Sequence, residues 1–270
     1  MSPQMQPDYL TRVRWRGSGK EPGLPGYLHD KVKGEQFVRS LGVDSPRVYS
    51  RFGSVDEITF QGLPDAFVLK PTFLSSSLGV MVLRRQGDVY VDSLWGKTYT
   101  LEEVRQEQVR LAEKSQAENK AWIAEELVED VTGSLVPDDW KFYCFQGRIG
   151  LIHRVVRAEP RVRHAYFDGD FVPLADERGE FICVNEKLIE RISVAPPVEW
   201  KSLMNAARRI SVAVPTPFVR VDMYNSTRGP LFGEFTLVPG TFYYEDRERM
   251  MPPLSVRLGQ LWQQAEIDLT

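Results

Sequence analysis

Apolar positions recur along this chain at two periods, and the switches between them mark its elements. From His29 to Leu41, HDKVKGEQFVRSL sets Val32, Phe37, Val38 and Leu41 on one side of a helix that Gly42 stops. Ala66 to Lys70 is a buried strand closed by Pro71, and Val80 to Arg85 is its return strand, with the loop Thr72 to Gly79 between them. Val89 to Asp92 reads as a further short strand. Thr100 to Ala121 reads as a helix opened by Thr100 with Glu103 three residues on, the spacing of a capping box. Trp122 to Val128 is again a strand, followed by an acidic, turn-prone linker from Glu129 to Asp139 that we take as a lobe boundary. Trp140 to Phe145 and Ile149 to Val156 are strands about the tight turn Gln146-Gly147-Arg148. Short strands surround Asp168-Gly169-Asp170, most simply a hairpin turn, because the rest of a calcium-loop motif is missing. Glu199 to Val214 and Ser255 to Ile267 are amphipathic helices, the second carrying Leu258, Leu261, Trp262 and Ala265 on one side. Residues 1–26 hold Pro3, Pro7, Pro22, Pro25, Gly17, Gly19, Gly23 and Gly26, which predicts an irregular arm.

The stretch FVRVDMYNSTRGPLFGEFTLVPG, residues 218–240, reads as two alternating strands about a turn-rich break from Asn225 to Pro230. Alternation puts Arg220, Asp222 and Tyr224 on one face of the first strand, and Phe232, Glu234 and Thr236 on one face of the second. Symmetric pairing sets Asp222 opposite Glu234 with side-chain roots about 5 Å apart, a like-charge pair that calls for a cation between them. Magnesium takes one or two protein carboxylates and keeps phosphates and water for its other positions. The hairpin alone leaves three readings open: half of a nucleotide–metal site, a solvated acidic strand face, or a carboxylate pair for glycoside hydrolysis.

Charge and composition narrow the partners. Thirty-four Lys and Arg against 37 Asp and Glu give a net charge of −3 over 270 residues, with 42% hydrophobic positions, ordinary for a globular protein. Nothing there favours nucleic acid or a membrane surface. The start, MSPQMQPDYL, has no charged region followed by an apolar core, and no apolar run approaches the roughly 20 residues of a membrane span, so a cytoplasmic location is expected. Cys144 and Cys183 sit in apolar runs and are expected as buried thiols, and the three histidines show no ligand spacing, which argues against zinc.

Other positions carry candidate chemistry. A strand ending in Lys70, a hydroxyl-rich loop with Ser75, Ser76 and Ser77, and a return strand could close over phosphate oxygens, or form an ordinary long hairpin. Lys141 and Arg154 interrupt apolar strands, and with Arg157, Arg161 and Arg163 they could neutralise phosphate or carboxylate or simply decorate the surface. The run Arg16 to Lys20 superficially looks like a phosphate loop but lacks its glycine spacing, its Ser or Thr after the lysine and its preceding strand.

With these pieces in place, the chain resembles the ATP-grasp superfamily, and more narrowly its TupA-like branch, named for teichuronopeptide biosynthesis. The resemblance runs from about Asp30 to the C-terminal helix and is densest in DDWKFYCFQGRIGLIHRVVR (138–157) and VRVDMYNSTRGPLFGEFTLVPG (219–240). It implies an α+β fold of two lobes with antiparallel sheets sandwiching ATP. Its divisions would be an arm and helical segment at 1–64, a small lobe with the phosphate loop at 65–128, and a large lobe with the metal site at 129–270. The domain that precedes these lobes in relatives would be largely missing. The resemblance further assigns Lys70, Ser75, Ser76 and Ser77 to the phosphates, Glu125, Glu126, Leu127 and Val128 to the adenine, and Asp139 to the ribose. Lys31 matches an earlier nucleotide-contacting lysine. Asp222 and Glu234 match the magnesium ligands, with Thr236 where relatives commonly place a third ligand, an asparagine. Arg220 matches an arginine that orients substrate or the transferred phosphate, and Lys141 and Arg154 complete the catalytic set.

What the family implies is an ATP-dependent carboxylate–amine ligase that forms an acylphosphate, then an amide, and releases ADP and phosphate. A kinase acting on a hydroxyl of a sugar-like acceptor and a nucleotide-binding module with little turnover are the alternatives. The expected partners are small-molecule or glycan-linked carboxylate and amine substrates, the branch name pointing to cell-envelope polymers, with a homodimer or partner protein completing the acceptor site.

Overall fold

The computed structural model describes residues 7–74, 77–157, 161–174 and 181–270, apart from the side chain of His29. The chain divides into two compact units, one of residues 46–136 and the other of residues 1–45 with 137–270. The first 45 residues therefore belong with the C-terminal half, and the unit boundaries differ from the expected 64/65 and 128/129.

The N-terminal arm is not irregular. Between Pro7 and Gly17 no breaker interrupts YLTRVRWR, and α1 (Tyr9–Gly17) forms there, with Asp8 accepting a hydrogen bond from the Thr11 amide as its N-cap. Arg16, the first residue of the false phosphate loop, is buried and donates to the Phe218 and Leu237 carbonyls and to the Thr216 hydroxyl. A second helix, α2 (Lys31–Ser40), is capped by Asp30, which accepts from the amides of Val32 and Lys33.

The smaller unit is built on β1 (Val48–Phe52), β2 (Ala66–Pro71), β3 (Met81–Gln86), β4 (Val89–Asp92), β5 (Lys97–Tyr99), α3 (Leu101–Ala112) and β6 (Trp122–Glu126). Its sheet has the order β1-β6-β2-β3-β4-β5, with every pairing antiparallel. The capping box is present, Thr100 and Glu103 exchanging both bonds. The helix is shorter than expected because the Lys120 ammonium reaches back 2.8 Å to the Ala112 carbonyl and the chain turns there. Phe67, Leu69, Met81, Leu83, Trp122 and Ala124 form the sheet's half of the core, against Val104 and Ala112 of α3. The alternate positions Val68, Lys70, Ile123 and Glu125 take the other face.

The larger unit contains β7 (Asp139–Phe145), β8 (Arg148–Val156), β9 (Val162–Phe167), β10 (Ile182–Val184), β11 (Ile189–Arg191), α4 (Trp200–Ala213), β12 (Val219–Ser226), β13 (Gly229–Thr236), β14 (Glu248–Met250) and α5 (Pro252–Asp268). Six of these strands form one sheet in the order β11-β9-β8-β7-β12-β13, and β10 pairs with β14 in a separate ribbon. One face of the large sheet is sealed by α4 and α2 through Trp140, Phe142, Ile152, Phe167, Val221 and Met223. On the other face α1 and α5 cover only the part around Tyr143, Phe145, Leu151 and Phe218. The rest of that second face carries charge. Among the described residues, no helix is long and apolar enough to cross a membrane.

Candidate active site

The hairpin of β12 and β13 carries the densest charge. Asp222 stands opposite Glu234, and Arg220 opposite Thr236, as alternation requires. The turn is tighter than expected, because Ser226 pairs with Gly229 and Pro230 lies inside β13, an edge strand where a missing N–H is tolerated. A bulge then changes the face of the second strand. Register passes from Asp222↔Glu234 to Met223↔Phe232, so Gly233 is the extra residue. A Cβ at Gly233 would stand 3.2 Å from the Asp222 carbonyl oxygen, tighter than side chains ordinarily pack. The consequence is a correction: Phe232 does not share a face with Glu234 but lies in the core, its ring 4.6 Å from that of Phe235.

Across the sheet the polar face forms a row. Glu234, Asp222, Lys141, His153 and Tyr166 stand in direct register on β13, β12, β7, β8 and β9. Asp222 is its anchor: Arg220 donates to both of its oxygens at 2.7 Å, and Lys141 adds a bond of 2.8 Å to Oδ2. Asp139, two residues before Lys141, accepts from Arg157 at 2.5 Å and lies 3.5 Å from Lys141. Thr236 accepts from Arg220 at 2.8 Å. Burial by itself would raise the pKa of Asp222, but Arg220 and then Lys141 outweigh it and hold the carboxyl below the usual range. Asp139 behaves alike: burial opposes ionisation, and Lys141, Arg157 and Arg220 more than reverse it. Arg220 is pulled the complementary way, its burial outweighed by Asp222, so it stays charged.

These residues suit a hard divalent cation. Glu234 is half exposed, and its nearest basic group, Arg220, is 3.7 Å away, so its oxygens face the solvent side. Asp222 uses three of the roughly four acceptor positions of a carboxylate. One carboxylate available in full and one in part match the protein share that magnesium takes. The Thr236 hydroxyl is turned to Arg220, where it steadies the guanidinium.

In the smaller unit the Lys70 ammonium lies 2.6 Å from Glu125 Oε1, both on the face away from the core, with the Glu125 side chain only 4% exposed. Glu125 thus serves Lys70 as a counter-charge. Glu126 accepts from the Arg47 amide through Oε2, while Leu127 and Val128 follow the end of β6, Val128 buried. Ser75 and Ser76 lie outside the described residues. Ser77 has φ of 61°, a left-handed conformation uncommon for a residue with a side chain. The far end of this loop is held by a residue that periodicity did not single out: Gln108 of α3, 1% exposed, donates to the Gly79 carbonyl and accepts from the Trp122 indole. A polar residue on the packing side of a helix was the available signal.

Not every basic candidate comes to the row. Arg154 stands opposite Trp140, pairs with Asp138 at 2.5 Å and covers the Trp140 ring, so it lies on the α4 side of the sheet. Arg163 shares that side with Ala165 and Phe167, and Arg161 donates to the Glu186 carbonyl. Arg157, which sequence grouped only loosely with them, is the one that reaches Asp139. Lys31 opens α2 and is half-buried.

Comparison with known proteins agrees with this architecture. A structure of D-alanine–D-alanine ligase from Bacillus anthracis complexed with ATP superposes with a TM-score of 0.50 at 14% identity, covering 90% of this chain and 68% of that one. A second structure of the ligase from that organism gives 0.53, with the same identity and coverage. At this identity the likeness establishes the ATP-grasp fold. A search of curated proteins returns no match. The model of the family described as TupA-like ATPgrasp matches residues 14–251, nearly the whole of both units. The chain belongs to the TupA-like ATP-grasp family.

Proposed function

We propose that this protein is an ATP-dependent ligase that joins a carboxylate to an amine and releases ADP and phosphate. The observation that carries the reading is Asp222: a buried carboxylate in register with the half-exposed Glu234 and held by Arg220 and Lys141. That arrangement puts oxygen ligands and fixed cations side by side, as phosphoryl transfer to a carboxylate requires, since both reactants are anionic. Magnesium held by Asp222 and Glu234 would supply charge neutralisation at the phosphates. Arg220 is fixed by Asp222 and Thr236, so its remaining N–H donors are pre-aimed without loss of side-chain freedom at the moment of reaction. Lys141 bridges Asp222 and Asp139 and can shift between them and an incoming oxyanion. Lys70, desolvated against Glu125, is the phosphate-binding lysine of the smaller unit, and Asp139 the ribose acceptor. No side chain on the row acts as a covalent nucleophile.

The reading fits the ATP recorded with the Bacillus anthracis ligase that shares this fold. Small-molecule or glycan-linked acids and amines are the substrates we infer. The test incubates the protein with MgATP, panels of amino acids and uronic acids, and γ-labelled ATP. Phosphate release that depends on both an acid and an amine, with a new amide in the product, supports a ligase. Label retained on an acceptor hydroxyl overturns it in favour of a kinase, and no consumption of ATP with any pair overturns an enzymatic role.

A further inference from the structure

His153, His164 and Glu248 meet inside the larger unit, though 11 residues separate the histidines and Glu248 comes from β14. Sequence spacing argued against zinc because a sheet neighbourhood is not visible along the chain; in register, β8 and β9 bring the two rings together. The His164 Nδ1 lies 2.6 Å from Glu248 Oε1 and 3.0 Å from His153 Nε2, and the last two atoms are 3.9 Å apart. The Tyr166 hydroxyl stands 3.4 Å from the same nitrogen. All three ligand-type residues are buried, at 1%, 7% and 3% exposure.

One proton cannot serve this convergence well. The three separations set Glu248 Oε1 and His153 Nε2 at roughly a right angle about His164 Nδ1, so an N–H aimed at one misses the other, and hydrogen bonds weaken steeply off line. Among the described residues the opposite nitrogen of His153 has no hydrogen-bond partner, so the polar contact of that ring runs through its Nε2. A tetrahedral zinc with bonds of about 2.0–2.2 Å spaces its ligands about 3.3 Å apart, and the observed 2.6, 3.0 and 3.9 Å straddle that value. The nearby cation Lys141 is already neutralised by Asp222 and Asp139, which leaves Glu248 to balance an ion here.

We propose that His153, His164 and Glu248 form a buried site for a divalent transition metal of the zinc class, separate from the magnesium carboxylates. Two imidazoles and one carboxylate favour such an ion over magnesium or calcium, which take oxygen sets. From His153 to Asp222 is two strand spacings, about 10 Å, too far for one ion to share both sites. The role is structural: among the described residues no ladder joins the β10–β14 ribbon to the large sheet, and a metal on Glu248 would pin the ribbon to β8 and β9. This inference stands whether or not the protein is a ligase.

The test uses the whole protein, freed of any affinity tag and stripped with a chelator, titrated with Co2+ and then Zn2+. We expect the visible bands of four-coordinate cobalt to saturate at one equivalent, to vanish on adding Zn2+, and the metal to raise the unfolding temperature. His164→Gln and Glu248→Gln should weaken binding by more than the roughly 10- to 100-fold typical of losing an outer-sphere partner, whereas Asp222→Asn should leave the cobalt bands unchanged. X-ray absorption of the wild-type zinc form should show two imidazoles and no sulfur, which keeps the test decisive if the variants fail to fold. Absence of bands and of thermal stabilisation in the wild type, bands that survive both substitutions, or a sulfur-bound metal would each overturn the site.

Discussion

Replacing Asp222 by asparagine separates what holds the site from what it does. The substitution keeps the side-chain shape but removes the one anion bonded to both Arg220 and Lys141, at 2.7, 2.7 and 2.8 Å, in a place where Arg220 is 7% exposed. Breaking a buried ion pair from one side costs about 3–5 kcal/mol, because the partner charge stays desolvated. The low end applies here, since Arg220 keeps Thr236 and can draw in Glu234 from 3.7 Å, while Lys141 keeps Asp139 at 3.5 Å. For a unit of this size each kcal/mol lowers the midpoint by about 2–4 °C, so a loss of about 3 kcal/mol predicts a fall of about 6–12 °C. Glu234→Gln is the contrast. Its carboxylate is half exposed with one long contact, so stability should stay within about 0.5 kcal/mol of wild type. Both variants should lose turnover. Scanning calorimetry without nucleotide, paired with phosphate release under MgATP, reads the two effects separately. An Asp222→Asn midpoint within 1–2 °C of wild type would refute the energetic argument, and full turnover in Glu234→Gln would refute its place at the metal.

Three further outcomes are expected. Lys70→Met should weaken ATP binding by calorimetry and also destabilise the smaller unit by leaving Glu125 buried and unpaired, whereas Lys70→Met with Glu125→Gln should regain stability but not ATP affinity. Gln108→Leu should cost about 2–4 kcal/mol by orphaning the Gly79 carbonyl and the Trp122 indole, and limited proteolysis should then cut faster near residues 74–79. Asp222 and Asp139 titrate lower folded than unfolded, so their stabilisation is present above the ordinary aspartate value and is lost as pH falls through their folded values. Acid unfolding should therefore begin below about pH 4, with a shallower slope in Asp222→Asn.

Much of this was readable along the chain, for physical reasons. Symmetric counting about the turn reaches the pairing of Asp222 with Glu234, which in the structure the extra residue Gly233 restores after the tighter Ser226–Gly229 turn, and the Thr100 capping box and the β7–β8 turn follow from local residue chemistry. The α1 helix was hidden by the breakers around it, although Pro7 and Gly17 bracket a clean nine-residue run rather than interrupt one. The pairing of Lys70 with Glu125 joins residues 55 positions apart through β2 and β6, and no local pattern announces it.

The two errors of face share one cause. Counted from Phe145↔Arg148 without interruption, Arg154 would fall opposite Asp139 and join the charged row, but register jumps from Cys144↔Ile149 to Tyr143↔Leu151. Gly150 is the extra residue, and beyond it Arg154 faces Trp140 while His153 moves opposite Lys141. On β13 Gly233 does the same to Phe232. A single inserted residue reverses the parity of everything beyond it, so a period-two argument fails at a bulge even when every residue is correctly assigned to its strand. Both insertions are glycine because the space is already filled: a Cβ at Gly150 would come within 2.5 Å of Leu258 on α5, and one at Gly233 would crowd the Asp222 carbonyl. Each bulge also exchanges one side chain for another on the charged face. Gly233 sends Phe232 into the core and leaves Glu234 beside Asp222, while Gly150 sends Arg154 to the α4 side and delivers His153 to the row. The residues that set the chemistry of this face are thus selected by two glycines that carry none.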